Sequence, residues 1–161
     1  VDPWFIVHGA PQESRVIRTA REVNDAKMHH VLERASQIIE ENPGVPVACL
    51  GLAFKANIDD FRESPARFIA ARLARKFGDQ VNIVEPYASE LPVEFGETGA
   101  SLVDIDTALE TCGILIVLVD HDLFKSIPAD ERIDTIVYDT RGIWANETTP
   151  RRKVPPLRLA G

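Results

Sequence analysis

Ile114-Leu115-Ile116-Val117-Leu118-Val119 sets the strongest limit on how this chain can fold. A strand with one wet face alternates apolar and polar side chains. An unbroken apolar run of strand length belongs inside a parallel sheet that is covered above and below. Val45 to Leu52, punctuated by Gly51, is a second such run. Val81-Asn82-Ile83-Val84, stopped by Glu85-Pro86, and Ile133 to Tyr138 read as two more strands. Helical segments separate them. One opens at Ser64-Pro65, with Ser as N-cap and Pro in the first turn, and runs through Phe68, Ile69, Leu73 and Phe77 to Gly78. Asp104 to Thr111 fits a short helix capped by Gly113. His121 to Ile127 fits another, and residues 86 to 103 read as loop. Such alternation predicts a three-layer, Rossmann-like α/β domain with a mainly parallel sheet.

A long helix precedes that domain. From Pro11 to Glu41, apolar residues recur at Val16, Ile17, Ala20, Val23, Val31, Leu32, Ala35, Ile38 and Ile39, and Pro43-Gly44 ends the pattern. A helix of about 30 residues is about 45 Å long, more than a small domain covers. It predicts a spine between domains or a seam between two copies. Val1-Asp2-Pro3-Trp4-Phe5-Ile6-Val7 is dense in large apolar groups and reads as a chain entering from a preceding domain. The expected organisation is a helical segment over 1–43, an α/β domain over 44–145 and a flexible tail over 146–161.

The formal net charge of −7 argues against nucleic acid as partner. A nucleotide remains compatible where a few cations and helix N-termini converge. No apolar run approaches the roughly 20 residues of a membrane helix, and no signal-peptide pattern opens the chain, so a cytoplasmic location is expected. Cys49 and Cys112 lie in or beside apolar runs, without metal-ligand spacing, and read as buried small residues.

In a doubly wound sheet, ligands sit beyond the carboxyl ends of the strands. The first strand leads into Gly51-Leu52-Ala53-Phe54-Lys55-Ala56-Asn57-Ile58-Asp59-Asp60-Phe61-Arg62-Glu63-Ser64-Pro65. Lys55 offers a mobile point charge for a phosphate, and Arg62 a fork for phosphate or ribose oxygens. A solvated loop with surface ion pairs would carry the same residues. The other strands end in Glu85-Pro86-Tyr87, Asp120-His121-Asp122 and Asp139-Thr140-Arg141-Gly142. Asp120-His121-Asp122 has the residue types for a metal or for acid–base work, but a helix-cap cluster or hydrogen-bond hub is the commoner use. No GxGxxG string marks a primary dinucleotide site.

The string from Gly51 to Pro65 closely resembles the third-domain signature of the UDP-glucose/GDP-mannose dehydrogenase family. Arg21-Glu22-Val23-Asn24-Asp25 is similar to the family's central helix, and Val1 to Val7 to the segment after its catalytic cysteine. The Val-Asp-Pro-Trp-Phe wording is most similar to the UDP-N-acetyl-D-mannosamine dehydrogenase branch. The likeness runs to about residue 144, and implies that 1–43 is a remnant of a central dimerisation domain and 44–145 a UDP-sugar-binding domain. It implies part of an NAD-dependent enzyme that oxidises a nucleotide-sugar C6 alcohol to a carboxylate for cell-surface polysaccharide synthesis. Alternatives are the same domain from a UDP-glucose, UDP-N-acetylglucosamine or GDP-mannose 6-dehydrogenase, or a non-catalytic nucleotide-binding or dimerisation module. By resemblance, Asp2 is the retained catalytic aspartate, and Phe54, Lys55 and, with a looser match, Arg141 hold the UDP-sugar. Arg62 reaches toward an NAD bound mainly by a domain outside this chain. The likeness also implies a homodimer through the 11–41 helix. The family's catalytic cysteine would fall before Val1, so no turnover is expected from this chain alone.

Overall fold

The computed structural model describes residues 3–144. Two helices come first, α1 (Pro3–Gly9) and α2 (Arg15–Glu40). The sheet domain follows as β1 (Val47–Leu50), α3 (Pro65–Phe77), β2 (Val81–Val84), β3 (Ser101–Leu102), α4 (Ile105–Thr111), β4 (Ile114–Val117), α5 (Asp122–Lys125) and β5 (Ile136–Asp139). All pairings are parallel, in the order β3-β2-β1-β4-β5. The order reverses beside β1, so the crevice between the β1 and β4 ends is the topological switch point.

Side-chain alternation divides the core into two layers. Val47, Cys49, Val81, Ile83, Ile114 and Ile116 face α2 and α3. Ala48, Leu50, Val84, Leu115 and Val117 face α4, α5 and Trp144. The central strands β1 and β4 are buried along their whole length, as their unbroken apolar runs require. α3 starts as its sequence dictates: Ser64 Oγ accepts from Arg67 N–H and Pro65 fills the first turn. Asp104 caps α4 in the same way through Thr107 N–H.

Several expectations change. The opening segment forms α1, and Pro3 supplies the start signal: as the first helical residue it loses no bond by lacking an N–H. Val7 is buried, whereas Phe5 and Ile6 are exposed. The helix expected from Pro11 begins at Arg15, after a turn, and is 26 residues long. Only its C-terminal half is covered by the sheet domain, through Val31, Ala35, Ile38 and Ile39. The loop expected over 86–103 contains β3, whose two residues at the sheet edge are too few to leave a pattern. Gly113 is not a helix cap. Cys112 ends α4 in extended backbone, and a Cβ on Gly113 would lie 2.6 Å from Val45 Cγ1. β4 stops at Val117 because Leu118 and Val119 both turn their N–H groups onto Leu50 O. β5 starts at Ile136, after a 3-10 turn at Ala129–Arg132. Asp2 and the tail over 146–161 lie outside the described residues.

Gly51 joins β1 to its loop with φ +96°, and a Cβ there would lie 2.4 Å from Val119 Cβ. Backbone conformation and packing both demand glycine. Gly51→Ala is expected to cost about 2–4 kcal/mol, measured by urea unfolding. A loss below about 0.5 kcal/mol would mean that the loop shifts freely around Val119.

Candidate functional site

Parallel strands bring every carboxyl end to one rim, and the β1 loop crosses that rim at the switch point. Its anchors are specific. Leu52 N–H and Ala53 N–H donate to Glu85 Oε2 at 2.7 and 3.1 Å. Ala53 O accepts from Ser64 Oγ, so the helix cap of α3 also closes the base of the loop. Phe54 N–H donates to Asp60 O at 2.8 Å. Arg67 holds Phe61 O and forms an ion pair with Glu94. On the far side, Asn57 N–H donates to His121 Nδ1 at 2.9 Å. Asn57 and Asp122 then clasp each other: Asn57 Nδ2 donates to Asp122 Oδ2, and Asp122 N–H to Asn57 Oδ1. Asn57 takes φ +62° to do this, a conformation its short polar side chain tolerates.

His121 and Glu85 form the floor. His121 is fully buried, and its Nε2 lies 3.3 Å from Glu85 Oε2. Glu85 Oε1 accepts from Tyr87 N–H. Burial, the largest influence, pushes the Glu85 carboxyl upward. Hydrogen bonds from His121, Leu52 and Tyr87 outweigh it and hold the group below its ordinary value. The Asp120-His121-Asp122 string is therefore divided: His121 is an internal hub, Asp122 clasps the loop, and Asp120 pairs with Arg141. Among the described residues no three His, Cys, Asp or Glu side chains converge as metal ligands.

The residues singled out in the sequence fall on the outer side of this floor. Phe54 is 52% exposed, and Lys55 is exposed. Among the described residues Lys55 has no ion-pair partner, unlike Arg62 and Arg141. Arg62, its side chain 86% exposed, is forked by Asp60 at 2.9 and 2.8 Å. That bond, the largest influence, holds the Asp60 carboxyl down at about 2. Arg141 donates to Asp120 at 3.0 Å, beyond β5. β5 is the second strand over from β1, about 10 Å across the rim by sheet spacing. Phe54, Lys55 and Arg62 thus share one loop, while Arg141 approaches from the side. Asp2 is outside the described residues. Sequence reasoning missed the use of Asn57 and Asp122, whose partners are 65 residues apart. A carboxylate directly after a buried strand was the available signal for Glu85.

The switch-point turn does not fit a dinucleotide. In a nucleotide crevice, N–H groups at the first turn face a pyrophosphate. Here the Leu52 and Ala53 amides face the Glu85 carboxylate, and Val119 fills the space above Gly51. The protein's own anion occupies that position, which leaves the outer face of the loop for a ligand.

Comparison with known proteins gives a consistent result. Residues 48–146 match the UDP binding domain of the UDP-glucose/GDP-mannose dehydrogenase family. The chain is 46% identical over 145 residues to an NDP-N-acetyl-D-galactosaminuronic acid dehydrogenase of Ralstonia solanacearum, covering 90% of this chain and 34% of the relative. It is 45% identical over 152 residues to the UDP-N-acetyl-D-mannosamine dehydrogenase of Salmonella typhi, covering 89% and 36%. The UDP-N-acetyl-mannosamine dehydrogenase structure from S. aureus superposes with a TM-score of 0.67 at 29% identity, over 89% of this chain and 33% of that one. The chain spans about a third of the length of the curated relatives it matches.

The sign of the acid response follows from Glu85. Its folded value lies below the ordinary 4.5, so its ionised form favours folding. That contribution is whole above the unfolded value and drains away as pH falls through the folded one. Glu94, Asp104 and Asp122 are lowered as well, so the chain as a whole should lose stability in acid. Glu85→Gln should lower stability near neutrality yet lose less than the parent between about pH 7 and about pH 3. Urea midpoints across that range give the comparison. Parallel curves for the two proteins would assign the acid loss elsewhere.

Proposed function

This chain belongs to the UDP-glucose/GDP-mannose dehydrogenase family, and from that premise we propose that it is the nucleotide-sugar-binding part of an NAD-dependent UDP-N-acetyl-D-mannosamine 6-dehydrogenase. Relatives acting on the manno and galacto N-acetyl sugars match about equally well. The N-acetylhexosamine class is therefore better supported than the epimer.

One observation carries the reading. The β1 loop is tied down on its inner side at Leu52, Ala53, Phe54 and Asn57, and its outer side presents an exposed aromatic ring beside a lysine that has no ion-pair partner among the described residues. That combination suits a nucleoside diphosphate. The Lys55 ammonium supplies a point charge to a phosphate oxygen, and the Phe54 ring supplies an apolar face for the nucleoside or sugar. Arg141 already donates to Asp120, which orients its fork toward the same rim, and we assign it a second anion contact. Arg62, oriented by Asp60, extends toward a cofactor on a neighbouring domain. NAD supplies the hydride acceptor for the overall oxidation. This chain contributes binding and orientation, and we assign no chemical step to its described residues. Asp2 would act on water next to the reacting carbon.

Two further features extend the proposal. The N-terminal half of α2 exposes Val16 and Val23, which supports a homodimer seam along that helix. The free, buried Cys49 and Cys112 suit a reducing compartment such as the cytoplasm.

Calorimetric titration with UDP tests the binding role. A charge-assisted phosphate contact contributes about 1.5–3 kcal/mol, so Lys55→Ala should weaken UDP by about tenfold or more. Unchanged affinity in that variant removes the phosphate role.

A further inference from the structure

Glu85 and His121 have side chains with no exposed surface, so neither can touch a ligand on the outer rim. What they hold is backbone on both sides of Phe54-Lys55. Glu85 takes the two amides immediately before that pair, Leu52 and Ala53. His121 takes the amide of Asn57, two residues after it. The two side chains are also bonded to each other. Because Nδ1 accepts a backbone N–H, the ring proton sits on Nε2 and points at Glu85 Oε2. A backbone donor on one side and a carboxylate on the other leave this tautomer alone satisfied. His121 is steadied further by ring contacts at 5.2 Å to Tyr87 and 5.3 Å to Phe124.

The other attachments do not replace this pair. The Phe54–Asp60 and Ala53–Ser64 bonds lie within the β1 segment and its helix cap. They fix its shape, but not its height over β2 and β4. The Asn57–Asp122 clasp is exposed. Tyr87 Oη reaches Asn57 Oδ1 at 3.5 Å, also from the exposed side, and Gly51 N–H donates to Val84 O at the root of the loop. Among the described residues, Glu85 and His121 are the buried side chains that tie Leu52, Ala53 and Asn57 to the segments after β2 and β4.

We infer that Glu85 and His121 act as one positioning unit for the Phe54–Lys55 segment, keeping the loop in its ligand-binding conformation before any ligand arrives. The inference rests on the proposed phosphate role of Lys55. A protein that is binding-competent only part of the time binds more weakly by that fraction. Loosening the pair therefore lowers affinity through Lys55, without removing any group that touches the ligand.

Three variants separate the parts. Glu85→Met keeps the length but removes both acceptor oxygens from Leu52, Ala53 and Tyr87. His121→Leu removes both ring nitrogens. His121→Asn keeps an acceptor near the Nδ1 position for Asn57 N–H. Amide hydrogen exchange of Leu52, Ala53 and Asn57 is followed by NMR, with the amides of β4 as reference for the intact fold, and UDP affinity is measured on the same samples. His121→Leu should speed Asn57 exchange by about tenfold or more with β4 unchanged, and weaken UDP by about tenfold. His121→Asn should recover most of both. In a Lys55→Ala background, His121→Leu should cost no further affinity, because the lysine it positions is gone. Should His121→Leu not fold, Glu85→Met, which has no acceptor oxygen for either amide, gives the same comparison at Leu52 and Ala53. Unaltered loop exchange in a folded variant overturns the inference, as does an equal affinity loss with and without Lys55. If the parent chain binds no UDP, the reading of Lys55 fails, and the exchange rates alone decide the anchoring.

Discussion

A single buried carboxylate organises the rim of this domain. Glu85 accepts N–H groups from Leu52, Ala53, Tyr87 and the His121 ring. A charge taken out of water is tolerated only when hydrogen bonds replace its hydration. Here all four donors come from loops that follow three different strands. The arrangement is possible because the sheet is parallel: every strand ends at the same level, so one side chain after β2 reaches the connections after β1 and β4. The same economy makes the group vulnerable. Removing the carboxylate would leave several buried donors unpaired at once, a larger penalty than losing one bond.

This internal anion also decides where a ligand can go. At a nucleotide crevice, the turn after the first strand offers its amides to a phosphate. Glu85 has taken those amides, and Val119 packs where a Gly51 side chain would stand. The polar capacity of the turn is spent inside the protein, and the cations stand on the outside of the loop. The architecture is Rossmann-like, yet its usual ligand position has become a structural joint. This is why the fold alone says little about the site.

The surface ion pairs have a smaller role. Arg62–Asp60 and Arg141–Asp120 are exposed, and pairs of that kind add little to stability. Their effect is to hold each guanidinium beside a fixed carboxylate, Asp60 for Arg62 and Asp120 for Arg141. Stability comes from the two apolar layers, where β1 and β4 are sealed on both faces. The N-terminal half of α2 belongs to neither layer and keeps apolar side chains in water.

The amino-acid sequence by itself determined the layered class, the two central strands, the capped start of α3 and the position of the candidate loop. These follow from local rules: apolar runs too long for a wet face, a Ser-Pro helix start, and a glycine at a strand end. The cations Lys55, Arg62 and Arg141 were legible as types at strand ends, and the resemblance to a known family rested on contiguous strings. The tertiary structure alone decided what the other polar residues do. His121 had the residue type of a metal ligand, although a hub was the commoner use, until Asn57 and Glu85 were brought to its two nitrogens from 64 and 36 residues away. Gly113 read as a helix cap, but Val45 Cγ1 stands 2.6 Å from where its Cβ would be. The edge strand β3 was invisible because two residues are too few to leave a pattern, and the start of β5 was misplaced because its bounds are set by pairing with β4 rather than by its own residues. Local propensity acts along the chain. Hydrogen-bond satisfaction and close packing act across it, and a polar side chain acquires its task only when the fold supplies the partner.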